Sequence, residues 1–219
     1  MWSTMLNKFE VLDSIVQTGA ILIVRLDSAD EALAVSRAAI AGGFRALEIT
    51  LSVPDALGVI RTLVAEFGEQ GIAIGAGTVL DEHAAFASIQ AGARILVSPN
   101  LNPAMIATAN RYQVVTVSGA FTPTEIVNTM EAGADIVKLF PTDIAGPSYV
   151  KTVMAPLPQA PILPAGGATP ENVKSWFDAG VIAVGVGSYV TKAAQATGDY
   201  SLVTAAAEKF LSAIAEARK

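Results

Sequence analysis

The chain has 219 residues and a formal net charge of −6, with 52% hydrophobic and 16% charged residues, no cysteine and a single histidine. An apolar share that large speaks for an extensive packed core and against disorder. Acidity disfavours nucleic acid and anionic membrane as partners. The missing cysteines exclude disulfides, thiolate nucleophiles and Cys-ligated zinc, and one histidine argues against a His-rich metal site or a Ser-His-Asp triad.

The first residues, Met1 to Lys8, contain no apolar signal core, and no later apolar run reaches membrane-spanning length. A soluble cytoplasmic protein is therefore expected. A helix is predicted over Thr4–Gln17, and then short β-type runs alternate with amphipathic helical stretches. The strands read as Ala20–Arg25, Ala46–Thr50, Ile72–Gly75, Ile95–Ser98, Val114–Val117, Ile136–Phe140, Ile162–Pro164 and Ala183–Gly185. Helical patterns between them include Ser28–Ala41, Pro54–Phe67, Pro123–Ala132 and Pro170–Ala179, several opened by a turn residue or proline. His83 falls in the first turn of another helix, where it reads as solvated. A last helix is expected over Leu202–Ala217.

An Ala-Gly step closes a helix before a strand at Ala41-Gly42-Gly43, Ala91-Gly92, Ala132-Gly133 and Ala179-Gly180. These steps recur at intervals of roughly 40–50 residues, each interval holding two strand–helix units. Eight such units close a (β/α)8 TIM barrel with an additional N-terminal helix, read as one domain over residues 1–219. An open doubly wound sheet is the alternative, and usually has fewer strands.

Active sites of such barrels lie at the C-terminal ends of the strands. Three ionisable residues sit inside or end the apolar runs. Lys138 lies within Ile136–Phe140, where desolvation favours the neutral amine that attack on a ketone requires. A lysine snorkelling from the strand end or pairing with an acid fits the position equally well. Glu48, within Ala46–Thr50, is costly to bury unless paired or used for proton transfer. An ion pair with Lys138 or Arg25 is the structural reading. Arg25 ends the first strand, suited either to gripping a carboxylate or phosphate or to a salt bridge.

Glycine turns follow the seventh strand (Gly166, Gly167) and the eighth (Gly185, Gly187, Ser188). Barrels often bind phosphate in those two loops through backbone N–H groups. Gly75-Ala76-Gly77-Thr78 follows the third strand, where it could set Thr78 against a small carboxylate or simply make a turn.

With these residues in place the chain resembles the KDPG aldolase family, the 2-keto-3-deoxy-6-phosphogluconate and 6-phosphogalactonate aldolases. The likeness runs from about Ile21 to Thr191, through Leu47-Glu48-Ile49-Thr50-Leu51, Gly75-Ala76-Gly77-Thr78-Val79, Val97-Ser98-Pro99-Asn100, Val137-Lys138-Leu139-Phe140-Pro141, Gly146-Pro147, Gly166-Gly167 with Pro170-Glu171-Asn172, and Gly185-Val186-Gly187-Ser188. The resemblance implies a class I lyase of Entner–Doudoroff type that cleaves a phosphorylated keto-deoxy sugar acid to pyruvate and glyceraldehyde 3-phosphate. It implies no metal, no organic cofactor and a homotrimer. Lys138 matches the Schiff-base lysine and Glu48 the acid/base. Thr78 matches the residue holding the pyruvate carboxylate, Pro99 and Phe140 line the pocket, and Gly166, Gly167, Gly187 and Ser188 match the phosphate cradle. Arg25 matches an arginine that ends the first strand in some members and binds an anion.

Three positions depart from the family pattern: Ser52 in place of an arginine, Ala165 in place of a threonine, and Ser118 in place of a proline. The Ala165 position bears on the choice between gluconate and galactonate substrates. Family members may also cleave 4-hydroxy-2-oxoglutarate. Two further readings keep the barrel, namely a phosphate-binding isomerase or epimerase with Lys138 as an electrostatic stabiliser, and a catalytically silent sugar-phosphate-binding module.

Overall fold

The computed structural model describes residues 3–219, with side chains from Lys8 onward. Eight strands alternate with helices. The strands are β1 (Ala20–Val24), β2 (Ala46–Thr50), β3 (Ala73–Gly77), β4 (Ile95–Val97), β5 (Val115–Ala120), β6 (Ile136–Leu139), β7 (Ile162–Pro164) and β8 (Val184–Val186). The helices are α1 (Ser3–Thr18), α2 (Ala29–Ala41), α3 (Ala56–Phe67), α4 (Glu82–Gln90), α5 (Pro103–Arg111), α6 (Pro123–Glu131), α7 (Gly146–Met154), α8 (Val173–Asp178), α9 (Ser188–Thr191) and α10 (Ser201–Ala217).

All strand pairs are parallel, in the order β7-β6-β5-β4-β3-β2-β1-β8. A bridge between Ala165 and Gly185, with the Ile182 amide donating to Ile162 O at 3.1 Å, joins the β7 and β8 sides, so the sheet is a nearly closed barrel. All eight expected strands form.

The alternation of each strand separates two cores. Outward residues such as Leu22, Leu47, Ile74, Leu96, Val137 and Val184 pack under the helices. Inward residues such as Ile21, Ala46, Ile95, Val117, Ile136 and Leu163 fill the barrel. Val11 and Ile15 of α1 belong to that inner core, so α1 plugs the N-terminal end. Lys8 ties the plug down, its Nζ 2.9 Å from Asp135 Oδ2 and 2.8 Å from Asn110 Oδ1. Asp135 in turn accepts from the amide and hydroxyl of Thr116. Polar groups at this end are thereby satisfied, which leaves the opposite mouth for chemistry.

Local signals place the helices. Ser28, Asp55, Asp81, Asn102 and Thr122 cap α2, α3, α4, α5 and α6 with side-chain acceptors, and Thr122 with Glu125 completes a capping box. The Ala-Gly punctuation is explained by Gly43, Gly92, Gly133 and Gly180, all at φ between 88° and 104°. Three strands run further than expected. β8 ends at Val186, and β3 continues through Gly77 and β5 through Gly119 to Ala120, because these glycines pair in the sheet. Helix α8 begins three residues late. Asn172 Oδ1 accepts from the Thr169 amide and Trp176 Nε1, while its amide donates to Gly167 O, so residues 169–172 form a hydrogen-bonded turn instead. Among the described residues no helix is long and apolar enough to cross a membrane.

Because Ile15 is fully buried in the plug, Ile15→Ala should lower unfolding free energy by about 2–5 kcal/mol. Urea titration checks this. A loss below about 1 kcal/mol would mean that α1 contributes little to the core.

Candidate active site

Glu48 and Lys138 point inward from β2 and β6 and meet near the barrel axis. Lys138 Nζ lies 3.7 Å from Glu48 Oε1, and the two residues are 6% and 2% exposed. That distance gives attraction without a hydrogen bond, so the amine is held near the acid but not locked to it. Nζ also lies 5.4 Å from the centre of the Phe140 ring. The pair rests on an apolar floor of Ile21, Val97, Val117 and Leu163. Glu48 Oε2 is buried with no hydrogen-bond partner among the described residues. A buried orphan acceptor of this kind calls for a substrate or water donor.

The carboxylate fits only because of a glycine that the sequence reading took as a turn. A Cβ on Gly77 would lie 2.0 Å from Glu48 Oε2. Gly75 is equally constrained, its absent Cβ lying 2.6 Å from Ile95 O. Thr78 follows at φ 58°, a left-handed conformation that a β-branched residue adopts only under strain. Its neighbours fix it, with Gly77 in β3 and the Val79 amide donating to Val97 O at 3.0 Å.

Pro99 stands on a turn that β5 clamps. Ser98 Oγ and Ser118 Oγ both donate to Asn100 O, at 2.6 and 3.2 Å, and the Gly119 amide donates to it at 3.2 Å. Ser118, a departure from the family pattern, thus anchors the loop carrying Pro99. Gly119 allows the close approach, since its Cβ would sit 2.1 Å from Pro99 O.

Beside the pair opens a cavity of about 610 Å³. Arg25, Lys138, Phe140, Gly166, Gly167, Gly187 and Ser188 all line it. Glu48, Thr78 and Pro99 do not. The structure therefore groups Arg25 with the two glycine turns and sets Thr78 and Pro99 outside this cavity. Ala165 is buried at the end of β7 and also lines it. Asp143 and Lys192 line the cavity as well. Sequence reasoning did not single them out, because both lie in loops beyond the strand ends. Ser52 is exposed, and the His83 side chain is 88% exposed, as expected.

A parallel barrel with a buried lysine and glutamate at its core and paired glycine turns after β7 and β8 has the layout of an amine-based, phosphate-handling barrel enzyme. Comparison with known proteins narrows that class. The family model for KDPG and KHG aldolase matches residues 12–206. The 2-dehydro-3-deoxy-6-phosphogalactonate aldolase of Escherichia coli K12 is 39% identical over 176 residues, spanning 80% of this chain and 85% of that protein. A solved native KDPGal structure superposes with a TM-score of 0.84 at 36% identity, over 91% of this chain and 95% of the other. The KDPG aldolase of Legionella pneumophila, solved with pyruvate captured as a covalent carbinolamine, gives 0.80 at 26% identity, over 90% and 97%. The chain belongs to the KDPG and KHG aldolase family. It is a lyase, a class I aldolase on the TIM-barrel fold.

Gly77→Ala should displace the Glu48 carboxylate while leaving Lys138 in place. The expected result is a fall in turnover of about 10²–10⁴-fold, the usual span for loss of a positioned acid/base. Covalent capture of pyruvate by borohydride should persist. Steady-state assay alongside mass spectrometry reads both, and unchanged turnover would show that the carboxylate has another resting place.

Proposed function

We propose that the chain cleaves 2-keto-3-deoxy-6-phosphogluconate or its galactonate epimer to pyruvate and glyceraldehyde 3-phosphate, with Lys138 as the Schiff-base nucleophile and Glu48 as the proton carrier. The observation that carries this reading is the buried Lys138–Glu48 pair at 3.7 Å, at the side of a cavity lined by the two glycine turns.

Lys138 Nζ attacks the C2 ketone to give a carbinolamine, which loses water to leave a protonated imine. Glu48, through a water, takes the C4 hydroxyl proton. The C3–C4 bond breaks, its electrons move to the imine nitrogen, and the aldehyde leaves behind a pyruvate enamine. Protonation at C3 restores the imine, and water then frees pyruvate and the amine. The orphan oxygen of Glu48 supplies the acceptor that these proton transfers need. Thr78, strained into place beside Gly77, is the proposed hold on the C1 carboxylate, and Pro99 and Phe140 wall the pyruvate half. Arg25, Gly166, Gly167, Gly187 and Ser188 face the phosphate. A cavity of about 610 Å³ is large enough for the six-carbon substrate. 4-Hydroxy-2-oxoglutarate, with a carboxylate in place of the phosphate-bearing carbons, is a proposed secondary substrate.

We read the chain as one catalytic domain. The multiply charged substrate cannot cross a bilayer unaided, and on that ground the enzyme is placed in the cytoplasm. We also propose a homotrimer. The support is an apolar group on the α4–α5 side, where Leu80, Phe86 and Tyr112 are each more than 40% exposed and the rings of Phe86 and Tyr112 lie 5.5 Å apart.

Borohydride with pyruvate should inactivate the enzyme and add mass at Lys138, and Lys138→Ala should lose about 10³-fold or more in cleavage. A Lys138→Ala variant with full cleavage would exclude the mechanism, and absence of any adduct would favour an isomerase or epimerase. Phe86→Glu with Tyr112→Glu should convert the trimer to smaller species in sedimentation equilibrium. An unchanged mass would place the interface elsewhere.

A further inference from the structure

The turn after β7 has the backbone form of an anion nest. Gly166 and Gly167 are both left-handed, at φ 119° and 78°. The amides of Gly167 and Ala168 donate to no acceptor among the described residues. Successive backbone donors in such a concavity bind anions. Two charged side chains of opposite sign reach the same cavity. Asp143 presses its carboxylate on the turn, so that a Cβ on Gly166 would lie 2.0 Å from Oδ1. Lys192, just after α9, lines the cavity too. Neither side chain makes an ion pair or hydrogen bond among the described residues.

A carboxylate beside an anion nest is an electrostatic conflict if the phosphate is the only group to be recognised. Like charges held close together in a partly desolvated site repel more strongly than they do in water. The conflict resolves if the ligand brings donors as well. Ionised carboxylates only accept hydrogen bonds, and hydroxyls donate. The aldehyde half of the proposed substrate carries a hydroxyl on the carbon next to the phosphate-bearing one.

We propose that Lys192 and Asp143 divide recognition of the aldehyde half, Lys192 pairing with the phosphate and Asp143 accepting the neighbouring hydroxyl. The proposal rests on the aldolase reading given above. The pairing of charges makes the site select phosphorylated polyols. A phosphorylated aldehyde without the hydroxyl meets Asp143 with no donor, and an unphosphorylated aldehyde leaves Lys192 unanswered. Arg25, on the β1 side of the same cavity, adds charge but no acceptor.

Condensation of pyruvate with three aldehydes separates the parts: D-glyceraldehyde 3-phosphate, D-glyceraldehyde, and 3-hydroxypropanal phosphate, which lacks the hydroxyl. Lys192→Gln should lower kcat/KM for both phosphorylated aldehydes by about 10–100-fold and for D-glyceraldehyde by less than about 3-fold. Asp143→Ala should lower kcat/KM for the two hydroxylated aldehydes but not for 3-hydroxypropanal phosphate. Inorganic phosphate gives a second readout of opposite sign, inhibiting Lys192→Gln more weakly and Asp143→Ala more tightly than the parent. A merely structural role would not produce that split. Equal losses with all three aldehydes, no loss with any, or the same shift in phosphate inhibition for both variants would overturn the proposal. Borohydride capture of pyruvate runs beside each assay. Its failure in the parent enzyme would overturn the aldolase reading instead, and its persistence in the variants shows that they are folded.

Discussion

The buried pair formed by Lys138 and Glu48 sets the terms for the rest of the molecule. Two ionisable side chains are almost wholly removed from water inside a sheet whose other inward residues, Thr50 apart, are aliphatic or glycine. Such a pair does little for stability. Desolvation costs several kcal/mol per ion, and a well-packed apolar pair of similar volume is often as stable or more so. Removing one partner is worse, because it leaves the other charge buried alone. A barrel built only to persist would fill this level with branched aliphatics, as it does one layer below with Ile21, Val97, Val117 and Leu163. The proposed chemistry accounts for the pair, and the apolar floor keeps both groups facing the open end.

Space around the pair comes from side chains that are missing. Gly77 leaves room for the Glu48 carboxylate, Gly75 lets β3 approach Ile95, and Gly119 lets β5 approach Pro99. Each sits on a strand facing the barrel interior. Glycine weakens a strand, so the barrel is less stable at these positions than it could be, and the gain is a hollow of the right shape at the active end. The serine pair of Ser98 and Ser118 stiffens the same region by converging on the Asn100 carbonyl. Strain at Thr78 adds to the picture. A β-branched residue at positive φ persists only where its surroundings over-determine it, and here the sheet on one side and the Val79 amide on the other do so.

Much of this was legible in the sequence. Alternating apolar runs gave the eight strands, and the Ala-Gly steps gave the repeat, because burial and left-handed caps leave strong local signatures. Lys138 and Glu48 stood out as charges inside apolar runs. Their separation, and the fact that they meet at all, depends on β2 and β6 facing one another across a nearly closed barrel, which no local pattern encodes. Gly77 was read as a turn residue because glycine has two uses, conformational freedom and absence of bulk, and only contacts tell them apart. Asp143 and Lys192 escaped notice because a charged residue in a loop is the ordinary case. What distinguishes them is the wall they share. For Arg25 the sequence leaves a carboxylate, a phosphate and a salt bridge open, and the cavity it lines is that of the glycine turns.

Charge over the whole molecule points the same way. The chain is acidic overall, yet the substrate proposed for it is an anion at both ends. Net charge acts weakly at this range, since exposed charges are screened beyond roughly 8–10 Å at moderate ionic strength. What a bound anion feels is the few groups within that distance. On the outer surface Arg37, Lys174 and Lys209 are tied to Glu66, Asp178 and Glu171, while the exposed Arg45, Arg61, Arg111 and Lys151 make no ion pair among the described residues. Exposed pairs of that kind contribute at most about 1 kcal/mol to stability, but they neutralise surface positive charge. Arg25 and Lys192 line the cavity, also without side-chain partners among the described residues. Arg25 and Lys192 outnumber the one acid of that wall, Asp143, which makes the mouth of the barrel locally attractive to an anion that the molecule as a whole would repel.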